Sequence, residues 1–543
     1  MKNSCWFILS LAFLVLSCGN MKKEADLIIT HANVYTVNDT FATASAFAVG
    51  DGKILEVGKT EEITQRYKAP KTIDLEGKPV YPGFIDAHAH FYGYSMNLRQ
   101  VDLVGTTSYG EIIEKLKEYD RSHDAEWIVG RGWDQNDWKD KEFPTKERLD
   151  KAFPDKPVYL RRIDGHAALV NSVALEKAGI DSRTNVEGGT VMIRDGQPTG
   201  ILVDNAAGLV SKLIPEPTRQ EKIASLQTGA DNCFAAGLTS VVDAGLKYDE
   251  ITLMDSLQQA GQLKMQIYAM LSPTEKNFRE FMYEGPYQTP YMHIESIKLF
   301  ADGALGSRGA CMLEPYADDP GNRGFLVTPR EELRHLAQKA YDHNYQVNTH
   351  AIGDSANRVM LEIYGDILGG KNDRRWRIEH AQVIHPDDFS LFGKYSVIPA
   401  VNTTHATSDM YWADERLGQQ RLQHAYAYND LLQQLEWLPN GSDFPVEHIN
   451  PLYGFYAAVA RKDLEGYPEG GFQMGNALTR KQALKAMTRW AARGMFEENQ
   501  KGSIEPGKNA DFVVTDKDFM QIPMNQVPEV EVLRTFVRGQ EVY

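Results

Sequence analysis

The chain has 543 residues, of which 74 are Asp or Glu and 58 are Lys or Arg, so its net charge is −16 at pH 7. This acidic balance argues against non-specific binding to nucleic acid or to an anionic membrane surface, and we expect no nucleic-acid partner. The chain is too long for one ordinary core, and its 42% hydrophobic content is that of a folded protein. We therefore expect one large barrel with a smaller domain, or about two to three domains.

The N-terminus differs from the rest of the chain. Lys2 precedes an apolar run over residues 6–16, which is too short to cross a bilayer as a helix. The run leads into the sequence Leu-Ser-Cys-Gly, in which the cysteine is Cys18. This ending resembles the lipobox of bacterial lipoproteins.

The lipobox resemblance implies a location. Residues 1–17 would be a signal peptide, Cys18 would carry lipid, and residues 18–25 would be a tether. The protein would then be extracytoplasmic in the bacterial cell envelope, with its lipid anchor as its only contact with a membrane. The alternative is an uncleaved anchor or an ordinary secretory signal.

Short strands are predicted at both ends of the chain. Residues 26–80 hold several short apolar runs, and the Asp-Gly pair at 51–52 lies between two of them, which is typical of a β-hairpin. Residues 500–543 hold two further short strand patterns. We expect the two ends to form one small composite β-sandwich.

Between these ends, apolar strands alternate with amphipathic helices, which predicts a parallel sheet. Eight strands are expected, at residues 80–90, 237–243, 264–270, 296–300, 346–350, 376–380, 396–400 and 436–443. The predicted fold class is α/β, with a distorted (β/α)8 TIM barrel over residues 81–499. The first two strands are too far apart for one crossover, so residues 95–225 are expected to be an insertion that caps the barrel mouth.

Polar side chains lie at, or close to, the predicted C-terminal ends of five of these strands. They are His88, His90, Lys298, His350, His380 and Asp443. The first two are two positions apart, so they share one face of a strand and could bind one metal ion. Since active sites of such barrels lie at the C-terminal strand ends, we expect all six to meet there, although each taken alone would be a structural residue.

Lys298 is the unusual member, because an ammonium group cannot bind a metal. A buried lysine in an electropositive site favours its neutral form, which can react with carbon dioxide to give a carbamate. We expect carboxylated Lys298 to bridge two cations: one held by His88, His90 and Asp443, the other by His350 and His380. The alternative is an unmodified amine that pairs with a carboxylate or polarises the substrate.

This set predicts metal-dependent hydrolysis. One or two zinc ions would make hydroxide available near neutral pH. Asp443 is expected to act as the general base that takes the proton and returns it to the leaving nitrogen.

The six residues and their flanks resemble the amidohydrolase superfamily, and within it the amidohydrolase 3 family, which includes N-substituted formamide deformylase. The matching segments start at Gly132, Asp164, Gly188, Asp302, His350, Arg377, Gly441 and Gly502. The resemblance implies a distorted barrel with a terminal β-sandwich, zinc, and hydrolysis of non-peptide carbon–nitrogen bonds. One departure stands just before His405, where Asn402-Thr403 replaces the Gln-Pro usual in that family.

The residues that would contact a small-molecule substrate are less firmly marked. The candidates are Trp133, Asp134, Arg162, His166 and Arg308, because aromatic and guanidinium groups over a metal site suit an aromatic or anionic substrate. The alternative is that they organise the insertion. Two other functions stay open: an esterase or lactonase with the same metal site, and a catalytically silent binding lipoprotein. Whether the chain forms a homo-oligomer also stays open.

Overall fold

The computed structural model describes residues 22–122 and 125–543. The predicted signal peptide and the predicted lipidation site, Cys18, lie outside the described residues. Within the described part, no helix is both long enough and apolar enough to cross a membrane.

The centre of the molecule is a sheet of seven parallel strands that curls into a nearly closed barrel, which confirms the predicted distorted TIM barrel. In chain order these barrel strands are Phe84–Ala89, Leu238–Leu246, Gln266–Leu271, Met292–Phe300, Gln346–Ala351, Arg377–His380 and Ile398–Ala400. The strands keep their sequence order around the barrel, and a short strand, Tyr287–Gln288, pairs antiparallel with the fourth.

The predicted eighth strand is the main departure from expectation. Residues 436–443 contribute only one bridge, between Asn440 and Val401. Pro439 has no N–H to donate, and the N–H of Asn440 is taken by the carbonyl of Ala486. The segment still closes the barrel through backbone hydrogen bonds. Its carbonyl groups accept from the N–H groups of Val401 and Ala87, and the N–H of Asp443 donates to the carbonyl of His88.

Helices surround the barrel in the alternation that the sequence predicts. Arg330–Asp342 shows why: Leu333, Leu336, Ala337 and Ala340 are its buried residues, at a spacing that lines one helix face. The other helices of seven or more residues around the barrel are Phe91–Asn97, Arg219–Ala235, Tyr248–Gln259, Asp354–Leu368, Phe389–Tyr395, Ala413–Leu422, Tyr428–Leu435, Pro451–Ala460 and Arg480–Ala486.

Both ends of the chain form the small β-sandwich. One sheet has the strands Lys53–Gly58, Ala46–Gly50, Leu27–Thr30 and Lys71–Asp74, in that order, and the other has Gln540–Glu541, Val532–Val537, Phe512–Thr515, Pro79–Pro82, Asn33–Tyr35 and Thr43–Ala44. The predicted hairpin at Asp51-Gly52 is confirmed by the antiparallel pairing of its two strands. The rings of Phe47 and Phe512 meet edge to face with centroids 5.0 Å apart, so the two sheets share one core.

A further mixed sheet is formed by residues between the first and second barrel strands, inside the predicted insertion. Its six strands are, in spatial order, Val101–Asp102, Ile128–Trp133, Val158–Arg162, Ala167–Val170, Gln197–Asp204 and Gly189–Arg194. The helices Tyr109–Ser122, Glu147–Ala152 and Ser172–Ala178 belong to the same unit. We call this unit the cap, since its residues and barrel residues line one cavity at the barrel mouth.

Candidate metal centre

The first barrel strand carries His88 and His90 to the C-terminal mouth of the barrel. His88 is fully buried, and its Nε2 lies 3.2 Å from Nζ of Lys298. His90 follows the last residue of the strand and keeps 32% of its side chain exposed, with its Nε2 3.1 Å from Oδ1 of Asp443. The two imidazoles therefore reach two other members of the predicted set.

His350 and His380 lie at the ends of the fifth and sixth strands. Their ring centroids are 4.7 Å apart, and His380 lies 4.9 Å from the ring of His88. Strand alternation alone would aim Glu379 and His380 to opposite faces. A φ of +72° at His380 breaks that alternation, and both side chains face the barrel interior.

Asp443 is held against the first strand by a clasp of hydrogen bonds. Asp86 accepts from the N–H of His88 at 3.1 Å and from both the N–H and the hydroxyl of Ser442, the latter at 2.6 Å. A Cβ at Gly441 would lie 2.3 Å from the nitrogen of His88, so only glycine allows this approach. Asp443 itself takes a φ of +63°, which re-aims its carboxylate toward the histidines.

Each of the four histidines has one ring nitrogen held by an outer partner and one left over. Nδ1 of His90 donates to the carbonyl of Ala244 at 3.1 Å, and Nδ1 of His380 contacts Oδ1 of Asn402 at 2.9 Å. Nδ1 of His88 contacts the carboxylate of Glu379. In His350 the roles are exchanged, since Nε2 donates to the carbonyl of Gly303 at 3.3 Å and Nδ1 is left. Such outer partners fix the tautomer of metal-binding histidines.

The protonation states suit a metal. Burial lowers the pKa of His88 to about 4, and burial also holds the pKa of His350 and of His380 well below the usual value, so these rings are neutral at pH 7. Burial opposes ionisation of Asp443, but its close contact with His90 and the neighbouring imidazoles of His88 and His380 hold its pKa below its usual range. Neutral imidazoles with an ionised carboxylate are a donor set for divalent cations.

The spacing of these donors also fits a divalent cation. Ligand atoms of His88, His380 and Asp443 all lie within 4.8 Å of one another and are buried. Lys298 lies beside them, with its Nζ 5.0 Å from the ring of Phe300, and burial lowers its pKa to about 8. The structure thus brings all six predicted residues together at the barrel mouth.

A buried ion pair beneath His88 is a feature that the sequence reasoning missed. Glu379 and Arg377 have no exposed surface, and Nε of Arg377 lies 2.7 Å from Oε1 of Glu379. The guanidinium also donates to the carbonyl of Ala87 at 2.6 Å. Glu379 stands next to His380 in the sequence, but its contact with His88 spans 291 positions and has no local signal.

The cap supplies a further titratable group, His166, beside the histidines of the barrel. Nδ1 of His166 lies 2.6 Å from Oδ1 of Asp204, and its ring centroid is 5.0 Å from that of His350. Burial lowers the pKa of His166, but Asp204 and Asp164 outweigh this and raise it above its ordinary value. Asp204, absent from the predicted site, is thus what holds His166 in place.

Of these residues, His166, His350, His380 and Asp443 line a cavity of about 650 Å³. Of the predicted substrate-binding residues, Asp134, Arg162 and His166 line it. Trp133 is buried in the core of the cap, with its Nε1 2.9 Å from the carbonyl of Leu160, and Arg308 pairs with Asp318 at 2.8 Å. Neither of these two is among the described residues that line the cavity.

His405 also lines the cavity. It begins a short helix after the seventh strand, and its ring stacks on that of His380 with an angle of 15° between the planes. Its Nε2 lies 3.9 Å from Oδ2 of Asp443. The departure at Asn402-Thr403 is accommodated here, because Asn402 contacts His380 and the hydroxyl of Thr403 donates to the carbonyl of Gly454 at 2.7 Å.

Comparison with known proteins agrees with this geometry. The sequence profile described as "Amidohydrolase family" matches residues 71–543. The chain belongs to this family. Membership places it among metal-dependent hydrolases that act on carbon–nitrogen bonds.

The relatives cover nearly the whole chain. The putative amidohydrolase YtcJ of Bacillus subtilis is 32% identical over 520 residues, which are 94% of this chain and 98% of that protein. N-substituted formamide deformylase of Arthrobacter pascens is 26% identical over 542 residues, or 96% of this chain and 98% of that enzyme. An uncharacterized metal-dependent hydrolase from Pyrococcus horikoshii superposes with a TM-score of 0.73 at 28% identity, covering 92% of this chain and 99% of that one.

Proposed function

We propose that this protein is a zinc-dependent amidohydrolase that cleaves the carbon–nitrogen bond of a small non-peptide amide. The observation that carries the proposal is a cluster of four histidines, each with one nitrogen left by its outer partner: His88, His90 and His380 lie close to the carboxylate of Asp443, and His350 lies beside His380. A zinc ion bound by these residues would lower the pKa of its water from 15.7 to about 7 and would polarise a carbonyl oxygen.

The chain's own residues would hold the metal and move the proton. His88, His90, His350, His380 and Asp443 would be the ligands, and Lys298 would join them as a carbamate, formed when its neutral amine adds to carbon dioxide and releases a proton. Asp443 is ionised and faces the cavity, so it can accept a proton as a hydroxyl group adds to the carbonyl carbon. The carbon–nitrogen bond then breaks, and Asp443 returns the proton to the leaving amine.

The outer shell supports the same role. Glu379 and Asn402 keep the rings of His88 and His380 in one orientation. Residues of the cap and of the barrel line the same cavity, so a substrate that fills it would displace water from the centre. The Arthrobacter pascens relative is an N-substituted formamide deformylase. N-formyl amines are therefore the first substrates to test.

Metal content and turnover test the proposal together. We expect the purified protein to hold zinc, to lose turnover of N-formyl amines after treatment with a strong chelator, and to regain it with zinc. His88→Ala should abolish turnover, whereas the control His31→Ala, at a histidine that is 57% exposed in the β-sandwich, should not. Protein free of divalent metal, or full turnover by His88→Ala, would contradict the proposal. Lactones in the same panel would reveal an esterase or lactonase.

Lys298 is tested separately. Lys298→Ala should lose activity and regain part of it when short carboxylic acids are added, because a carboxylate can replace the carbamate oxygens. Full activity without the acid would show that no carbamate is needed.

We also propose that the protein is a lipoprotein of the bacterial cell envelope, anchored through Cys18. The lipobox-like ending of the apolar N-terminal run supports this. Cells grown with radiolabelled fatty acid should label the wild-type protein and not Cys18→Ala. Equal labelling of both would overturn the assignment.

A further inference from the structure

The guanidinium groups of the arginines that line the cavity already have hydrogen-bond or ion-pair partners within the protein. Nε of Arg162 donates to Gln135 at 2.9 Å, and its two terminal nitrogens contact the carboxylates of Asp164 and Asp134. Arg131 donates to two backbone carbonyls, one of them that of Ile163 at 2.9 Å. Neither guanidinium offers the open fork that usually binds an anionic substrate.

Four carboxyl groups that line the same cavity have no such partner, and one of them is that of Asp102. The other three belong to Asp137, Asp409 and Glu447, which lie close enough to affect one another's acidity. Among the described residues, no lysine, arginine or histidine lies within ion-pair distance of any of the three. Asp409 accepts from the hydroxyl of Tyr426 at 2.8 Å, and Glu447 accepts from the hydroxyl of Ser408 at 2.6 Å. The cavity wall thus holds more carboxyl groups than there are basic groups to pair with them.

The raised pKa values of these carboxyl groups agree with the lack of basic partners beside them. Burial raises the pKa of Glu447 to about 7, and the charges of Asp443 and Asp137 add to the effect. Asp137 is exposed, but partial loss of solvent at the cavity wall and the nearby Asp134 raise its pKa to about 6. A cation placed among these carboxyl groups would be stabilised by all of them.

A separate feature shows that the cavity is built for a polar ligand. Nε2 of His405 has no hydrogen-bond partner among the described residues, although the residue is only 9% exposed. A buried polar atom left this way is costly unless a ligand contacts it. His405 and Asp409 are the first and last residues of one short helix, four positions apart, so they lie on the same helix face about 6 Å from each other along its axis.

We propose that the cavity accepts a small amide whose far end carries an organic cation, such as a primary ammonium group, facing Asp137, Asp409 and Glu447. The scissile group would lie at the metal centre near His405, and the spacing along the helix calls for a linker of about four to five bonds between amide and cation. The inference rests on the proposed amide hydrolysis and names its substrate class. It differs from the aromatic or anionic substrate that the aromatic and guanidinium groups suggest in the sequence.

Three sets of N-formyl compounds of matched length test the proposal on the zinc-loaded enzyme. One set carries a terminal ammonium group (N-formyl diaminoalkanes), one a terminal methyl group and one a terminal carboxylate, each with linkers of two to six methylene groups. We expect kcat/KM for the ammonium set to exceed that of the methyl set by at least about tenfold. The carboxylate set should be the poorest.

Variants then locate the cation. Glu447→Gln and Asp137→Asn should each reduce the preference for ammonium over methyl, mainly through KM. Asp249→Asn, at an 81% exposed aspartate on an outer helix, is the matched control and should leave the preference unchanged.

Equal or better turnover of the methyl or carboxylate set would overturn the inference while leaving amide hydrolysis intact, as would an unchanged preference in both variants. If no compound is hydrolysed, the proposed function fails instead. Calorimetric binding of the same three sets then decides the charge preference, and binding that does not favour the ammonium set refutes it.

Discussion

The buried pair of Glu379 and Arg377 gives the sharpest test of the site's architecture. Replacing Glu379 by Gln keeps the shape of the side chain but leaves Arg377 charged and unpaired where neither residue has any exposed surface. It also removes the carboxylate that contacts Nδ1 of His88. The change should therefore reduce both stability and metal affinity.

The size of the effect follows from the acidity of Glu379. Burial would raise its pKa, but Arg377 and His88 outweigh burial and lower the pKa from 4.5 to about 2. At 1.36 kcal/mol per pKa unit, the charged form gains about 3 kcal/mol on folding. Breaking a buried ion pair typically costs about 3–5 kcal/mol, which agrees. Loss of an outer partner of a metal-binding histidine weakens metal affinity by about 10- to 100-fold.

Urea unfolding at pH 7, followed by circular dichroism, should show Glu379→Gln to be less stable than the wild type by about 3–5 kcal/mol. Competition with a coloured chelator should report the weaker zinc binding. An acidic group whose pKa is lowered by folding stabilises the folded state at pH values above its unfolded pKa. That contribution is lost as the pH falls through the folded pKa. The wild type should therefore lose about 3 kcal/mol between about pH 5 and pH 2 that the variant does not lose.

Glu498→Gln is the matched control, because Glu498 pairs with Arg375 at 2.8 Å nearer the surface, with 27% of its side chain exposed. It should cost no more than about 1 kcal/mol. If Glu379→Gln were as stable as this control and bound zinc as tightly as the wild type, the role assigned to the buried pair would be wrong.

Three further changes test other parts of the structure. Asn402→Leu removes the contact to Nδ1 of His380 and should weaken zinc binding by about 10- to 100-fold in the chelator assay; unchanged affinity would show that His380 needs no outer partner. Burial lowers the pKa of His293, but two adjacent carboxylates raise it, so its stabilisation is present below pH 6.5 and is lost as pH rises past the raised value. His293→Gln should therefore cost more free energy of unfolding at about pH 6 than at about pH 9, and an equal cost would contradict this. Trp133→Ala should destabilise the protein by about 3–5 kcal/mol in urea, because Trp133 lies in the core of the cap, and a neutral effect would contradict that placement.

The barrel could be predicted from the sequence because it depends on local periodicity, and the residues at its mouth could be proposed from the predicted strand ends together with the family resemblance. His88 and His90 are two apart on a strand, and the strand and helix patterns around them are long and regular. The fate of residues 436–443 was not predictable in the same way. Whether an apolar run pairs as a strand depends on where its N–H groups go, and here Asn440 donates to Ala486 instead.

The outer partners of the site could not be predicted because they are contacts between distant segments or depend on backbone angles. Glu379 looks like an ordinary strand residue until the left-handed turn at His380 shows that both side chains face inward. The same limit applies to Arg162. Its type suggests anion binding, but its availability is decided by Asp134 and Asp164, which already contact it.

The clasp between Asp86 and Ser442 has a consequence for how the protein is made. The first barrel strand cannot be closed into the ring until the segment around Ser442 has been synthesised, some 350 residues later. The metal centre includes both sides of this seam, so a partly synthesised chain has no complete site. A metal that binds only the closed ring stabilises it by about 4 kcal/mol when present at a thousand times its dissociation constant. Metal supply would then affect the stability of the closed barrel as well as its catalytic activity.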